Sequence, residues 1–375
     1  MSNHDADDDL EKAISLGSQL IYEILSSSPS DLPKLKKLVD DGAALWYRQD
    51  DDGGLSALHA ACLVESPELV QFLIDKGAIW NSVDDVGNTA ADIALSLNDE
   101  VSYRIIRDAG LRSEFLLQVL SNDEDSAPNV LRNVDNGAFG STDAFLDSSL
   151  VYSRDEFGQE ICGVKSGDET VGVMMGWERG IMETTVEKLC ADHPLKASGL
   201  RVLNIGFGLG IVDTLFQSID PPPSLYTIIE PHKDVLAHMR ATGWYDRPNV
   251  KILEGRWQDF VEQSDIYGNG GWDVVYIDTF AEGYEELKKF FDVLPDLLSG
   301  PEARFSFFNG LGATNWLFYD VYTQLAELHL KDAGVEVEWS DVDVEDGSAQ
   351  DRWGDTKSYF KARLYRLPIG KMVAM

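Results

Sequence analysis

Residues Arg201–Asp213 read RVLNIGFGLGIVD: a run of mostly apolar, strand-like chain, three glycines at Gly206, Gly208 and Gly210, then the start of the helical stretch IVDTLFQ. Glycine lets a backbone turn tightly and approach a ligand with no Cβ in the way, at the mouth where doubly wound α/β folds hold nucleotides. Alone, this loop would serve NAD, FAD or S-adenosylmethionine. The nicotinamide fingerprint GxGxxG is not completed, because Ile211, Val212 and Asp213 follow Gly210, and hydride transfer is the less economical reading.

Downstream the strand-like runs YTIIE, VKILEG, WDVVYID and ARFSFFNG alternate with helical stretches such as Val235–Thr242 and Glu285–Leu298. Near-continuous apolar strands belong in a parallel sheet covered on both faces. The fold class expected is α/β, a doubly wound Rossmann-like sheet. VEVEWSDVDV (335–344) and SYFKARLYRLPI (358–369) follow one another across a short acidic segment, too brief for a helical crossover, and predict an antiparallel pair on the sheet edge. That pair distinguishes a methyltransferase sheet from a purely parallel dinucleotide fold. Glu230 closes the second strand, where an acid accepts ribose hydroxyls. Trp257 and Gln258 follow the third; Trp257 either packs on adenine or fills the space between helix and sheet.

The fourth strand ends in Asp278-Thr279-Phe280 and brings a carboxylate to the same sheet edge. Upstream, VGVMMGWERGIMETTVEKL (171–189) predicts an amphipathic helix with Trp177, Ile181 and Thr185 on one face and Glu178 and Met182 on the next. Such a helix, capping the cleft, would put Met182 against the cofactor and Glu178 opposite Asp278. The plainer reading of each acid is a solvated helix charge or a cap. Two converging carboxylates repel, whereas a guanidinium between them removes the penalty, its planar fork of donors matching carboxylates bidentately.

Ahead of this domain the sequence repeats. SALHAA (56–61) returns as TAADIA (89–94), 33 residues later, the ankyrin period. Apolar-periodic stretches precede Gly42, Gly77 and Gly110, each suited to a left-handed helix end. His59 fits a structural position that bonds the local backbone. Trp46, Tyr47 and Trp80 fall in loops where such modules touch partners, although capping of a short core is the stronger reading. The expected organisation is an all-α ankyrin-like module over 1–120, a linker over 121–147 and a catalytic domain over 148–375.

A formal net charge of -34 repels nucleic-acid phosphates and anionic membranes and attracts basic protein segments. Cys62, Cys162 and Cys190 are too few and too scattered for a disulfide framework, and His193, His232 and His238 have no partners at metal-ligand spacing. A reducing, intracellular setting and no metal are expected. The acidic N-terminus is unlike a signal peptide, and no apolar run is long enough to span a bilayer.

With VMMGWE (173–178) and Met182, NIGFGLGI (204–211), IIEPH (228–232), GRWQD (255–259) and YIDTF (276–280) in order, the chain from about Tyr152 to Leu367 resembles the fungal protein arginine N-methyltransferase 2 family, the arginine N5-methyltransferases, and more distantly guanidinoacetate methyltransferase. The resemblance implies that Gly206, Phe207, Gly208, Leu209, Gly210, Ile211, Glu230, Pro231, His232, Trp257 and Gln258 bind S-adenosylmethionine, with Tyr152, Met182 and Asp278 beside it. It implies that Glu178 and Asp278 grip the guanidinium while methyl passes to the internal nitrogen of arginine. It further implies a large-subunit ribosomal protein as substrate and both cytoplasmic and nuclear occurrence; a monomer is the default. The tyrosine and proline that close the YDT segment of the small-molecule enzyme are absent, which suggests a more open site taking a side chain on a protein. The alternatives are methylation of a small guanidino compound, against which the repeats weigh, and a noncatalytic scaffold that binds S-adenosylmethionine without turnover.

Overall fold

The computed structural model describes residues 3–26, 32–49, 53–121, 142–166, 169–261, 266–267, 270–344, 352–354 and 356–373. The chain divides into two units, Met1–Pro128 with Trp316–Val321, and Asn129–Asn315 with Tyr322–Met375.

The first unit carries α1 (Asn3–Ser26), α2 (Leu32–Asp40), α3 (Ala57–Leu63), α4 (Pro67–Asp75), α5 (Ala90–Ser96) and α6 (Glu100–Ser121). The two repeat signatures begin helices by the same device. Ser56 and Thr89 sit in extended conformation, and each side-chain oxygen accepts the backbone N–H three residues on, closing capping boxes with His59 and Asp92. His59 is fully buried: its Nδ1 accepts from the Ser56 backbone N–H while Nε2 donates to the Asn88 carbonyl, 3.1 Å away, tying one turn to the next. Gly42 (φ +101) and Gly77 (φ +89) follow α2 and α4 in the left-handed region, as their sequence context predicts. Gly110 differs, since α6 runs through it to Ser121. A Cβ there would fall 2.8 Å from the Trp80 ring, so this glycine admits an indole rather than ending a helix. Trp80 and Tyr47 pack against the core, whereas Trp46 is half exposed. Residues 50–52, between α2 and α3, lie outside the described residues.

The second unit opens with α7 (Thr142–Asp147), then β1 (Leu150–Arg154), β2 (Glu160–Ser166) and β3 (Glu169–Met175). The expected linker falls mostly on 122–141, outside the described residues. Its last six positions are instead helical, because Phe145 buries itself against the His232 and Phe280 rings, with centroids 4.9 and 4.8 Å away. The expected helix over 171–189 is likewise corrected. Val171–Met175 is strand, paired antiparallel to β2, and a 3₁₀ turn over Gly176–Glu178 leads into α8 (Arg179–Cys190). Thr170, Val171 and Val173 favour extended chain, and the edge of β2 supplies the backbone partners that a helix would have made internally.

Next come β4 (Arg201–Ile205), α9 (Ile211–Gln217), β5 (Leu225–Glu230), α10 (Lys233–Ala241), β6 (Val250–Glu254), α11 (Trp257–Val261), β7 (Val274–Ile277) and α12 (Tyr284–Leu297). They are followed by β8 (Arg304–Phe307), α13 (Trp316–Asp332), β9 (Val335–Asp343), β10 (Thr356–Lys357) and β11 (Leu364–Met372). The large sheet runs β6-β5-β4-β7-β8-β11-β9, parallel from β6 to β8, with β11 antiparallel to both β8 and β9. The C-terminal pair is therefore present, but β11 starts at Leu364; Ser358–Arg363 is not strand, and β10 joins β3 in a smaller sheet ordered β1-β2-β3-β10. Because β5 and β7 flank β4 on opposite sides, the chain switches direction at the carboxyl end of β4, the place where open α/β sheets form a crevice.

α8 packs on α9, β8 and β11, and its end is held from the sheet. Arg304, buried in β8, donates through Nη1 to the Lys188 and Leu189 carbonyls and to Asp192. Helix C-termini leave carbonyls unpaired, and these receive a charged donor. Arg304→Met is expected to cost about 2–3 kcal/mol through the carbonyls left buried, read as a lower urea midpoint at unchanged slope.

Candidate active site

The glycine loop between β4 and α9 rests on a buried polar network. Asn204 Nδ2 donates to the Gly206 carbonyl and to Asp213 Oδ1, which also accepts from the Tyr226 hydroxyl at 3.0 Å. Burial pushes the Asp213 carboxyl up to about 7 despite these donors. Gly206 has φ +89, and a Cβ on it would fall 1.9 Å from the Asp278 carbonyl oxygen. The Asp278 N–H in turn donates to the Ile205 carbonyl. Loop and carboxylate are thus locked together by backbone contact that only glycine permits.

Glu230, at the end of β5, uses both oxygens on backbone: Oε2 accepts from the Phe207 N–H at 3.0 Å and Oε1 from the His232 N–H at 2.7 Å. Burial raises its carboxyl to about 7, and the two donors oppose the rise. The acid predicted for a ribose therefore also shapes the loop.

A cavity opens over this edge of the sheet. Of the residues singled out in the sequence, Gly206, Phe207, Gly208, Glu230, Pro231, Trp257 and Asp278 line it. The others stand behind or beside it. The Tyr152 hydroxyl donates to the Gly208 carbonyl at 3.2 Å, and its ring stacks on His238. Leu209 donates its N–H to Met174 Sδ, Gly210 lies close to the Phe207 ring, and Ile211 is buried at the start of α9. His232 caps α10 through Nδ1 and donates from Nε2 to the Phe145 carbonyl, so both ring nitrogens are engaged. Gln258 donates to Glu282 and Glu286, and Met182 is fully buried on α8.

Several lining residues were given no site role in the sequence. Met174 and Val173 come from β3, the segment expected to be helical, and Thr142, Phe145 and Leu146 from α7, inside the expected linker. Glu282 accepts from the Trp257 indole N–H at 3.2 Å and orients the ring that borders the cavity. Arg256 also lines it and pairs with Asp143.

Asp278 is partly buried where it lines the cavity, and its Oδ2 is a buried oxygen with no hydrogen-bond partner. Glu178, 2% exposed, does not line the cavity; its Oε1 accepts from the Met175 N–H at 2.9 Å and from the Tyr359 hydroxyl. Burial raises the Glu178 carboxyl above the ordinary range, and the Asp278 carboxylate raises it further; burial raises Asp278 in the same way. The fold thus brings together two acids 100 positions apart in the chain, close enough for the Asp278 charge to disfavour that of Glu178. A cation between them would relieve both. Among the described residues no cluster of His, Cys, Asp or Glu could hold a metal ion, and no helix is long and apolar enough to cross a membrane.

No family model matches the chain. It is 43% identical to the protein arginine N-methyltransferase 2 of Cryptococcus neoformans var. neoformans serotype D, over 96% of each chain. The Aspergillus oryzae protein of the same name is 32% identical over 93% of this chain and 95% of its own; that of Saccharomyces cerevisiae is 34% identical over 80% and 76%. Among solved structures, spermidine synthase from Thermotoga maritima aligns with a TM-score of 0.41 at 15% identity, over 59% of this chain and 72% of its own.

Glu230→Gln tests the loop support directly. An amide can satisfy one of the two backbone N–H donors and turns its own NH₂ toward the other. The expected outcome is a loss of about 1–3 kcal/mol in stability to denaturant, with faster amide exchange at Phe207 and His232.

Proposed function

The chain belongs to the fungal protein arginine N-methyltransferase 2 family, and on that premise we propose that Glu178 and Asp278 hold the guanidinium of an arginine on a protein substrate while its internal (δ, N5) nitrogen receives the methyl group. The protein is an S-adenosylmethionine-dependent arginine methyltransferase. When bound, S-adenosylmethionine supplies an electrophilic methyl group on a sulfonium sulfur.

The residues at the sheet edge fit that cofactor. Three loop glycines with positive φ leave the backbone open to close approach, and the buried, unpartnered Oδ2 of Asp278 awaits a donor. Gly206, Phe207, Gly208, Glu230, Pro231 and Trp257 would hold it directly, with Tyr152, Met182, Leu209, Gly210, Ile211, His232 and Gln258 supporting that wall.

The observation that carries the proposal is that two raised carboxyls come together, Glu178 lying near enough to feel the charge of Asp278, which itself abuts the glycine loop. An arginine guanidinium stays protonated at ordinary pH, with its nitrogen lone pairs delocalised. Carboxylates fixed on the two terminal amino groups concentrate positive charge there and leave the internal nitrogen as the nucleophile. Asp278, beside the loop, accepts the proton that this nitrogen releases. Alignment of nitrogen and methyl supplies the remainder as an orientation effect.

The ankyrin-like reading of the first unit, a basic large-subunit ribosomal protein as substrate, the absence of direct nucleic-acid binding, a monomeric state and a cytoplasmic and nuclear location complete the proposal. The net charge of -34 supports a basic partner by long-range attraction.

Two tests follow. Incubation with acid-extracted fungal large-subunit ribosomal proteins and labelled S-adenosylmethionine, followed by fragmentation mass spectrometry, is expected to place a single methyl on the internal nitrogen; methyl confined to terminal nitrogens overturns the assignment. Glu178→Gln should lower kcat about 10²–10³-fold while calorimetric affinity for S-adenosylhomocysteine stays near wild type. Since guanidinium binding needs both carboxylates charged and both are raised in the free protein, kcat/KM should fall as pH drops through neutrality, not near pH 4.

A further inference from the structure

We propose that Tyr359 is a positioning residue of the arginine site: its hydroxyl holds Glu178 Oε1 so that Oε2 is presented to the guanidinium. The proposal rests on the gripping role given to Glu178 above. Oε1 already accepts two donors, the Met175 N–H from β3 and the Tyr359 hydroxyl. A carboxylate with one oxygen saturated by fixed donors has its plane defined, and its other oxygen keeps its lone pairs for a ligand.

The fold places this tyrosine firmly. β10 pairs in parallel with β3, Thr356 and Lys357 opposite Thr170 and Val171, and thereby brings Tyr359 alongside the strand that leads to Glu178. Gly172 leaves room for the ring: a Cβ there would lie 3.1 Å from Tyr359 Cε1. Trp353 and Trp177 enclose the ring, with centroids 4.9 and 5.8 Å away, and the Arg352 guanidinium lies 4.7 Å above the Trp177 ring. Beyond Tyr359, the Lys361 N–H donates to the Ala313 carbonyl. The hydroxyl is thus fixed by packing before any substrate arrives.

The ionisable groups acting on or near Glu178 are Asp278 and Tyr276 from β7 and its end, Cys162 from β2 and Tyr359 itself. Donation from Tyr359 favours the charged carboxylate, whereas burial and Asp278 disfavour it. Removing the hydroxyl therefore raises the pH at which Glu178 ionises.

The test uses the full chain and compares Tyr359→Phe, Glu178→Gln and the double variant on the ribosomal-protein extract named above. Melting curves and S-adenosylhomocysteine binding verify folding. Tyr359→Phe is expected to lower kcat/KM for the protein substrate about 10–100-fold, shift the acid limb of its pH profile upward and leave cofactor affinity unchanged. In the Glu178→Gln background the same change should have little further effect. The shape of the profile does not depend on the active fraction. Carbon-13 NMR of glutamate-labelled protein reads the same effect without turnover: the carboxyl resonance missing from Glu178→Gln should titrate at higher pH in Tyr359→Phe. A Tyr359→Phe enzyme with wild-type rate and titration overturns the positioning role even when Glu178→Gln is inactive. Equal losses in both backgrounds also overturn it. Wild-type turnover by Glu178→Gln removes the gripping role and this inference together.

Discussion

The constraint on which the site depends is the burial of carboxylate oxygens that, among the described residues, are held by neutral hydrogen-bond donors rather than by ion pairs. Four acids, Asp213, Glu230, Glu178 and Asp278, are enclosed at one edge of the large sheet, and burial is the leading influence on each. Burying a charge is costly unless something compensates. For Asp213 the compensation comes from an amide and a phenol, for Glu230 from two backbone N–H groups, and for Glu178 from one of each kind. Hydrogen-bond donors soften the penalty but leave the negative potential in place. Carboxylates held this way retain their attraction for an incoming cation, which an ion pair with lysine or arginine would have cancelled; Arg256, which lines the cavity, pairs with Asp143 instead.

The same hydrogen bonds define the shape of the cavity. Glu230 fixes Phe207 from one side, Asn204 and Asp213 hold the Gly206 turn from beneath, and the Asp278 backbone closes against it. Met174 then lies over Gly208. The loop, Glu230 and Asp278 are tied together by hydrogen bonds within the protein, so little ordering is left to accompany binding. Ala281, just past Asp278-Thr279-Phe280, has φ +63, and its carbonyl accepts from the Thr142 hydroxyl. The lip of the cavity thus contains a residue held in a backbone conformation that non-glycine residues rarely adopt.

Local chemistry made much of this legible from the sequence. Strand composition fixes the α/β alternation, the glycines mark the turn after β4, and the short acidic segment between VEVEWSDVDV and the C-terminal run requires an antiparallel return. Ser56 and Thr89 announce two helix starts because a cap is a local interaction. Where local preference and packing compete, the sequence misleads. Gly110 has the appearance of a helix end yet exists to admit Trp80, and Val171–Met175 shares a helical spacing with Arg179–Cys190 but is claimed by the edge of β2.

What the chain alone determined, then, is the kind of sheet and the position of its switch point, since each follows from residue types and spacings along a single segment; the pairing of Glu178 with Asp278 came from the family resemblance. Tertiary structure decided the rest. That Glu178 lies behind the cavity lining, that Phe145 and Met174 help to enclose the site, and that Tyr359 reaches Glu178 from 181 positions away all depend on β10 joining β3 and on α7 finding a cavity to cover. Those contacts join segments remote in sequence, and no local pattern records them, because their stability comes from burial shared between partners rather than from the preference of either one.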